Sequence, residues 1–271
     1  MSLIPLRFKD YPHDLCELHE EKRIGNFVLR KRQIPMGTEL QFYTKDLGMC
    51  RSVFKTPYKI IQLLEVEKDK PIPDENFLEY SNGNVWMSDT PMEYETNIDA
   101  IRKATGDILE CGLGIGMFTY YASRKKEVKS ITIIEKEKDV IDLVYPAVKN
   151  KKTNIINSDA IEFLKSTDKK FDIIHIDIWA DITPYKSFEP LIKLAKTKLK
   201  PNGIASCWLD DNWKKIINNI KNGARKQTGF SMNMPPCVGC GKTMRYDYAG
   251  FCMDCADSLG LSEIFLKERV R

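Results

Sequence analysis

Two hydrophobic patterns divide the chain. From residue 26 to 66 the apolar positions come in short alternating or continuous runs: FVLRKRQI, ELQFYT, SVFK and YKIIQLLEV. Pro35-Met36-Gly37 and Asp46-Leu47-Gly48 break them. Runs of period two separated by turn residues predict a β-rich region. From Asp107 onward the pattern changes. Short runs apolar at nearly every position begin at Ile108, Ser130, Asn154, Phe171 and Ile204. Between them lie stretches of helical period, clearest in Lys136 to Asn150, where Val140, Ile141, Val144 and Val148 share one face. Further helices are expected over Met117 to Ser123, from Ile161, over Ser187 to Lys198 and over Asn212 to Asn222. Buried strands alternating with amphipathic helices predict a parallel sheet with helices on both faces, an α/β Rossmann-like fold. A helix over Asn97 to Ala104 leads into the first strand. Leu199 to Gly203 (LKPNG) reads as a turn, and residues 1–24 are charged without a readable period.

The stretch Asp107 to Glu135 organises this pattern. A buried strand ending at Cys111 is followed by Gly112, Gly114 and Gly116, then a helix, then a strand closed by Glu135. Glycine lets backbone approach a ligand closely and adopt positive φ. A dinucleotide fingerprint requires G-x-G-x-x-G. Here the third glycine arrives one residue early, and Met117 holds its place. Glu110, two residues before the first glycine, would repel a pyrophosphate but suits an ammonium or a sulfonium. Glu135 can accept two hydrogen bonds from a ribose diol. These features favour S-adenosylmethionine over NAD.

Composition narrows the setting. The 271 residues suffice for one large domain with an appendage or for two domains. The net charge of +4 is too small to imply nucleic acid. There is no apolar run long enough to span a bilayer and no secretory h-region, so a cytoplasmic protein is expected. Of eight cysteines, Cys16, Cys50, Cys111 and Cys207 stand singly. Cys237-x-x-Cys240 and Cys252-x-x-Cys255 have the spacing of a four-cysteine structural zinc site. Basic residues outnumber acidic ones from Lys214 onward. Lys242, Arg245, Tyr246 and Tyr248 between the knuckles offer nucleic-acid contacts, against the plainer reading of a tyrosine mini-core with solvated charges.

Other acids complete the candidate site. Asp89, Glu93 and Glu95 precede the first core strand. They either position an amine or serve the helix, with Asp89 capping the turn begun by Pro91. Asp159 with Ala160 follows the third strand, where an acid either meets an adenine amino group or caps a helix. Asp177, Trp179 and Asp181 follow the fourth strand, on the edge where open α/β sheets bind ligands. His175 lies mid-strand and reads as a core residue, and Trp86 reads as core as well.

The order of these motifs resembles a class I S-adenosylmethionine-dependent methyltransferase, and more narrowly its spermidine synthase-like branch. The resemblance covers about residues 83–209. It rests on the E-x-G-x-G-x-G turn from Glu110 to Gly116, on Glu135, on NSDAIEFL from Asn157, on FDIIHID and on WMSDTPMEYETN. WMSDTP with DIW also resembles uncharacterised phage-encoded members. The resemblance implies cofactor contacts from Glu110, Gly112, Gly114, Glu135, Asp159 and Ala160, to which Gly116 is added as the third turn glycine. Asp177 or Asp181 would orient or deprotonate the acceptor, flanked by Asp89 and Glu93. The chain departs from aminopropyltransferases in two places. It has C-G-L-G-I-G where they carry G-G-G-D-G-G, and its second acid after strand four comes one residue late. It also runs into the cysteine module where the methyltransferase sheet usually ends in a β-hairpin, so a shortened sheet is expected.

The sequence thus predicts a β-rich region over 1–82, an S-adenosylmethionine-binding α/β domain over 83–222 and a zinc ribbon over 230–271. The leading functional expectation is a methyltransferase with an unidentified acceptor. The alternatives are a polyamine aminopropyltransferase and a non-catalytic nucleic-acid- or protein-binding module with a vestigial cofactor site. The oligomeric state is not legible.

Overall fold

The computed structural model describes residues 14–44, 48–54, 56–72, 85–178 and 185–207. Asp181, Trp179 and the four cysteines Cys237, Cys240, Cys252 and Cys255 lie outside the described residues. So do the basic tail and the segment after the fifth core strand, and with them the zinc module and the shortened sheet.

The N-terminal region forms α1 (Asp14–Leu18), β1 (Lys22–Ile24), β2 (Phe27–Ile34), β3 (Glu39–Thr44), β4 (Gly48–Val53), β5 (Tyr58–Glu65) and β6 (Val85–Ser88). Order therefore starts earlier than the charge pattern of residues 1–24 indicated, because Leu15 and Cys16 of α1 are buried. Strands β1-β2-β5-β6 make an antiparallel sheet, and β3 pairs with β4 as a separate hairpin. Strand β5 sits inside its sheet, with Ile60, Ile61 and Leu63 fully buried. Each such side chain contributes roughly 1.5–3 kcal/mol when removed from water. β6 extends this sheet, which continues past the boundary expected at residue 82. A four-residue strand carries too little alternation to announce its partner.

The chain then enters α2 (Pro91–Lys103) six residues before the expected Asn97. Pro91 explains the early start: its fixed φ suits the first helical turn, where a missing N–H costs nothing. There follow β7 (Gly106–Cys111), α3 (Met117–Ser123), β8 (Val128–Glu135), α4 (Lys138–Val148), β9 (Thr153–Asn157), α5 (Ala160–Ser166), β10 (Phe171–Ile176), α6 (Tyr185–Lys196) and β11 (Leu199–Cys207). The five strands are parallel in the order β11-β10-β7-β8-β9. Strand order reverses between β7 and β10, which makes that crevice the topological switch point. The expected LKPNG turn lies within β11. The register steps from Phe171↔Leu199 to Ile173↔Ile204, and Asn202 takes a left-handed φ of 64° in the looped-out residues.

The two sheets share one core. Leu15, Phe27, Leu29, Ile61 and Leu63 pack in the same cluster as Ile108, Leu113, Ile115, Ile131 and Val144. The β1–β2 turn abuts α4, so that a Cβ on Gly25 would lie 2.0 Å from Asp139 Oδ2. At the amino ends of the parallel strands Lys200 Nζ bridges Asp107 Oδ2 (2.6 Å) and Asp172 Oδ2 (2.8 Å). That cluster is structural and lies opposite the ligand edge. No helix among the described residues is long and apolar enough to cross a membrane.

Candidate functional site at the switch point

Register places the acids on one face. Glu110 of β7 pairs with His175 of β10 and with Ile133 of β8. Side chains alternate along strands, so Glu135, two residues beyond Ile133, and Asp177, two beyond His175, share the face that carries Glu110. Helix α3 covers it: the Thr119 hydroxyl donates to Glu110 Oε2, and the Phe118 ring stacks on His175 with centroids 4.4 Å apart. His175 is the core residue its mid-strand position suggested. Its Nδ1 lies 3.3 Å from Ser206 Oγ, and burial holds its pKa down at about 4.

The glycine turn is built by close approach. All three glycines have positive φ: 91° at Gly112, 52° at Gly114 and 76° at Gly116. A Cβ on Gly112 would lie 1.9 Å from the Asp177 carbonyl oxygen, so any larger residue would push β10 away from β7. The Asp177 N–H donates to Cys111 O at 2.8 Å across the same gap. Gly116 is the left-handed cap of α3 and faces Val144 and Val148. Its early place in the motif thus serves helix packing, while Met117 is buried beneath. Met87 of β6 presses on Gly114, bringing the N-terminal sheet to the turn.

Glu135 does more than await a ribose. Its Oε2 accepts the Leu113 N–H at 2.9 Å and its Oε1 accepts the Glu137 N–H at 2.8 Å. Each oxygen keeps a further lone pair for a ligand hydroxyl. Asp159 caps α5, with Oδ1 accepting from Ile161 N (2.8 Å) and Glu162 N (3.2 Å), and Ala160 is buried at the start of that helix.

Asp89 and Glu93 are both buried. Asp89 is not the cap of α2. Thr90 occupies that position, while Asp89 Oδ1 accepts the Ile61 N–H at 2.7 Å and ties the entry of α2 to β5. Burial pushes the Asp89 carboxyl up to about 7, although the backbone donors pull it down. Glu93 is pushed up to about 8 by burial and then by the charge of Asp177, which places the two acids in one electrostatic neighbourhood. Burial raises Asp177 to about 7. It raises Glu110 to about 8 against its bonds from Thr119, and Asp177 and Glu135 add to the rise. Glu135 is likewise raised by burial. One helical turn beyond Glu93, Asn97 is fully buried. Its Nδ2 donates to Glu93 O at 3.0 Å, and its Oδ1 has no donor among the described residues.

The arrangement collects acceptors. Among the described residues no cation stands beside Glu93, Glu110 or Asp177, and Asn97 adds a carbonyl oxygen without a donor. Such a set fits a ligand bearing positive charge and N–H donors. It does not fit a phosphate. Glu110, Glu135 and Asp177 were legible from spacing. Asn97, Thr119 and Met87 were missed, since each enters the site through a tertiary contact that no local motif signals.

Residues 101–254 match the family model of the spermine/spermidine synthase domain, a span of more than half the chain. The chain belongs to the spermine/spermidine synthase domain family. A polyamine aminopropyltransferase from Thermococcus onnurineus (strain NA1) is 31% identical over 106 residues, covering 36% of this chain and 38% of that protein. The chain therefore spans well under half of that relative's length. Among solved structures, the N-methyltransferase NodS from Bradyrhizobium japonicum WM9 is 20% identical, with 44% of this chain and 68% of that chain covered and a TM-score of 0.36. A dimethyladenosine transferase from Plasmodium falciparum is 22% identical, with 48% and 46% covered and a TM-score of 0.36.

Proposed function

We propose that the chain is a transferase that moves an alkyl group from an S-adenosylmethionine-type sulfonium nucleoside to an amine, and that the group is aminopropyl. The observation that carries this is the density of carboxyls at the switch point: buried Glu93 and Glu110 and half-buried Asp177, with no cation beside them among the described residues, and Asp89 nearby. A decarboxylated donor carries an ammonium and a sulfonium with no compensating carboxylate, and a diamine acceptor adds further positive charge. A donor that keeps its carboxylate brings one net positive charge fewer to the same acids. The family match and the aminopropyltransferase relative support the same reading.

When bound, such a donor supplies an electrophilic carbon on sulfur and leaves as a neutral thioether. Glu110 and Glu135 hold the donor, the first by charge and the second by accepting from ribose hydroxyls, while the glycine turn lets backbone close on it. Asp159 and Ala160 bound the adenine end. Asp177 orients the acceptor amine and takes its proton as nitrogen bonds to carbon. A carboxyl raised to about 7 is better matched to that transfer than an ordinary aspartate. Glu93 and Asn97 hold the acceptor ammonium, and positioning supplies most of the acceleration.

Methyl transfer is the second reading. Its support is the turn itself, where Leu113 and Ile115 are buried apolar residues and no acid stands between the glycines to exclude a donor carboxylate. One assay separates the readings. Full-length protein is incubated with putrescine and either S-adenosylmethionine or its decarboxylated form, and products are read by mass spectrometry. The expected result is 5′-methylthioadenosine and spermidine from the decarboxylated donor. S-adenosylhomocysteine from the other donor would establish methyl transfer. No turnover and no binding with either donor would defeat both. Native mass spectrometry of the same sample reads the zinc that we propose for Cys237, Cys240, Cys252 and Cys255.

A further inference from the structure

The N-terminal region reaches the donor turn through one buried histidine. His19 follows α1, its N–H donating to Leu15 O at 3.2 Å. The residue is 2% exposed. Its Nε2 lies 2.9 Å from the carbonyl oxygen of Ile115, 96 residues further along the chain. A carbonyl can only accept, so Nε2 carries the proton and donates. Ile115 is fully buried between Gly114 and Gly116, both at positive φ. Without side chains of their own, those two glycines have more accessible backbone conformations than any other residue. Something outside the turn must select one.

Among the described residues, the Gly112 N–H donates to Ile134 O at 2.8 Å, and two further external bonds hold the segment from Leu113 to Ile115. On one side Glu135 accepts the Leu113 N–H. On the other His19 donates to the Ile115 carbonyl. Between them Gly116 N–H closes the turn on Leu113 O at 2.8 Å. The peptide plane is rigid, so fixing the Ile115 carbonyl fixes the Gly116 N–H with it. The turn is thus gripped from β8 by a carboxylate and from the N-terminal region by an imidazole. Met87 of β6 closes on Gly114 from that same region. Leu15 and Cys16 of α1 are buried in the core cluster that also holds Leu113, Ile115 and Met117, which keeps the His19 backbone in place.

We infer that His19 is a positioning residue of the donor site: by holding the Ile115 carbonyl it fixes the glycine turn in its donor-binding shape, which makes the N-terminal region part of that site. The inference rests on the donor lying at the glycine turn, as proposed above. It goes further in giving a residue outside the α/β domain control over donor affinity. His19 touches neither reacting atom. Its loss is felt in donor binding and leaves the acceptor and the chemical step alone.

Two substitutions separate the hydrogen bond from the packing. His19→Phe keeps the ring and removes the donor. His19→Gln keeps an amide N–H near the Nε2 position and removes the ring. Donor affinity is measured by calorimetry on the full chain with S-adenosylmethionine and with its decarboxylated form. Amide hydrogen exchange across residues 112–118 is measured on the ligand-free protein. The expected result is a donor Kd raised roughly five- to twenty-fold in His19→Phe, the effect of one buried hydrogen bond. Exchange through the turn is faster in that variant. His19→Gln stays close to wild type in both measurements, and acceptor KM and kcat at saturating donor are unchanged in both variants. Unchanged exchange and unchanged Kd in His19→Phe would overturn the inference. So would parallel losses of donor and acceptor affinity in both variants, which mark a general loss of packing. Failure of the wild type to bind either donor would sink the proposed function, and the exchange measurement would still decide whether His19 holds the turn.

Discussion

Replacing Asp177 by asparagine lowers kcat by roughly a hundred- to ten-thousand-fold, the range for loss of a positioned general base. The Kd for neutral 5′-methylthioadenosine should stay within about twofold, because the proposed nucleoside contacts are the glycine turn and Glu135 and the ligand carries no charge for Asp177 to meet. The fold tolerates the change. What joins β10 to β7 at this point is the Asp177 backbone N–H on Cys111 O, with the Asp177 carbonyl packed on Gly112, and asparagine keeps both. Steady-state kinetics and calorimetry on the one variant give both numbers. A kcat within threefold of wild type would remove Asp177 from the chemistry.

The ligand-free protein loses thermal stability as the pH rises from about 4 to 8. The sign follows from the buried acids. Asp89 and Asp177 stand at about 7, and Glu93 and Glu110 at about 8, all above the ordinary range of carboxyl groups. The folded chain therefore keeps protons that the unfolded chain releases near pH 4 to 5. The stability from that protonation is fully present below the unfolded pKa and is lost as pH rises through 7 and 8. Each such ionisation costs on the order of 1–4 kcal/mol. Buried His19 and His175 set the opposite limb, since burial depresses both and folding is weakened as acid protonates the unfolded chain near pH 6.5. The stability regained as the pH rises offsets part of the loss up to about pH 6.5, so the melting temperature should fall most steeply between about pH 6.5 and 8. Glu93→Gln and Glu110→Gln flatten the alkaline limb. A melting temperature that rises from about pH 6.5 to 8 would show that these carboxyls are already ionised and paired.

The parts of this site that could be read from sequence are those fixed by local geometry. Buried parallel strands must be apolar on both faces, so the runs ending at Cys111, Glu135 and Ile176 stood out, and glycine punctuation marked the turn. Glu110 and Asp177 then fell at strand ends, on the ligand edge that any open parallel sheet provides. The remaining partners depend on distant residues. For Asp89 the sequence offered a helix cap as one of two readings because capping is local, yet its carboxylate bonds Ile61 across the N-terminal sheet. His19 sits in a segment whose charge hid a short buried helix. Asn97 was expected to open α2 and instead lies in its middle, because Pro91 starts the helix earlier. LKPNG has the composition of a turn, and β11 accommodates it as a looped-out irregularity in a continuing strand. The two readings of the transferred group rest on different parts of the site. An apolar turn points toward a donor that keeps its carboxylate, and the surrounding acids point away from it.

The proposed site holds buried, protonated carboxyls that ionise when a cationic nucleoside binds. Calorimetric titration of the full chain at pH 7, in two buffers of different ionisation enthalpy, tests this most directly. Binding of decarboxylated S-adenosylmethionine should release about one proton or more per site, because the incoming charge lowers the carboxyl pKa values. Neutral 5′-methylthioadenosine should bind with no proton release. Cationic donor binding whose heat is the same in both buffers, or no binding at all, would contradict the account.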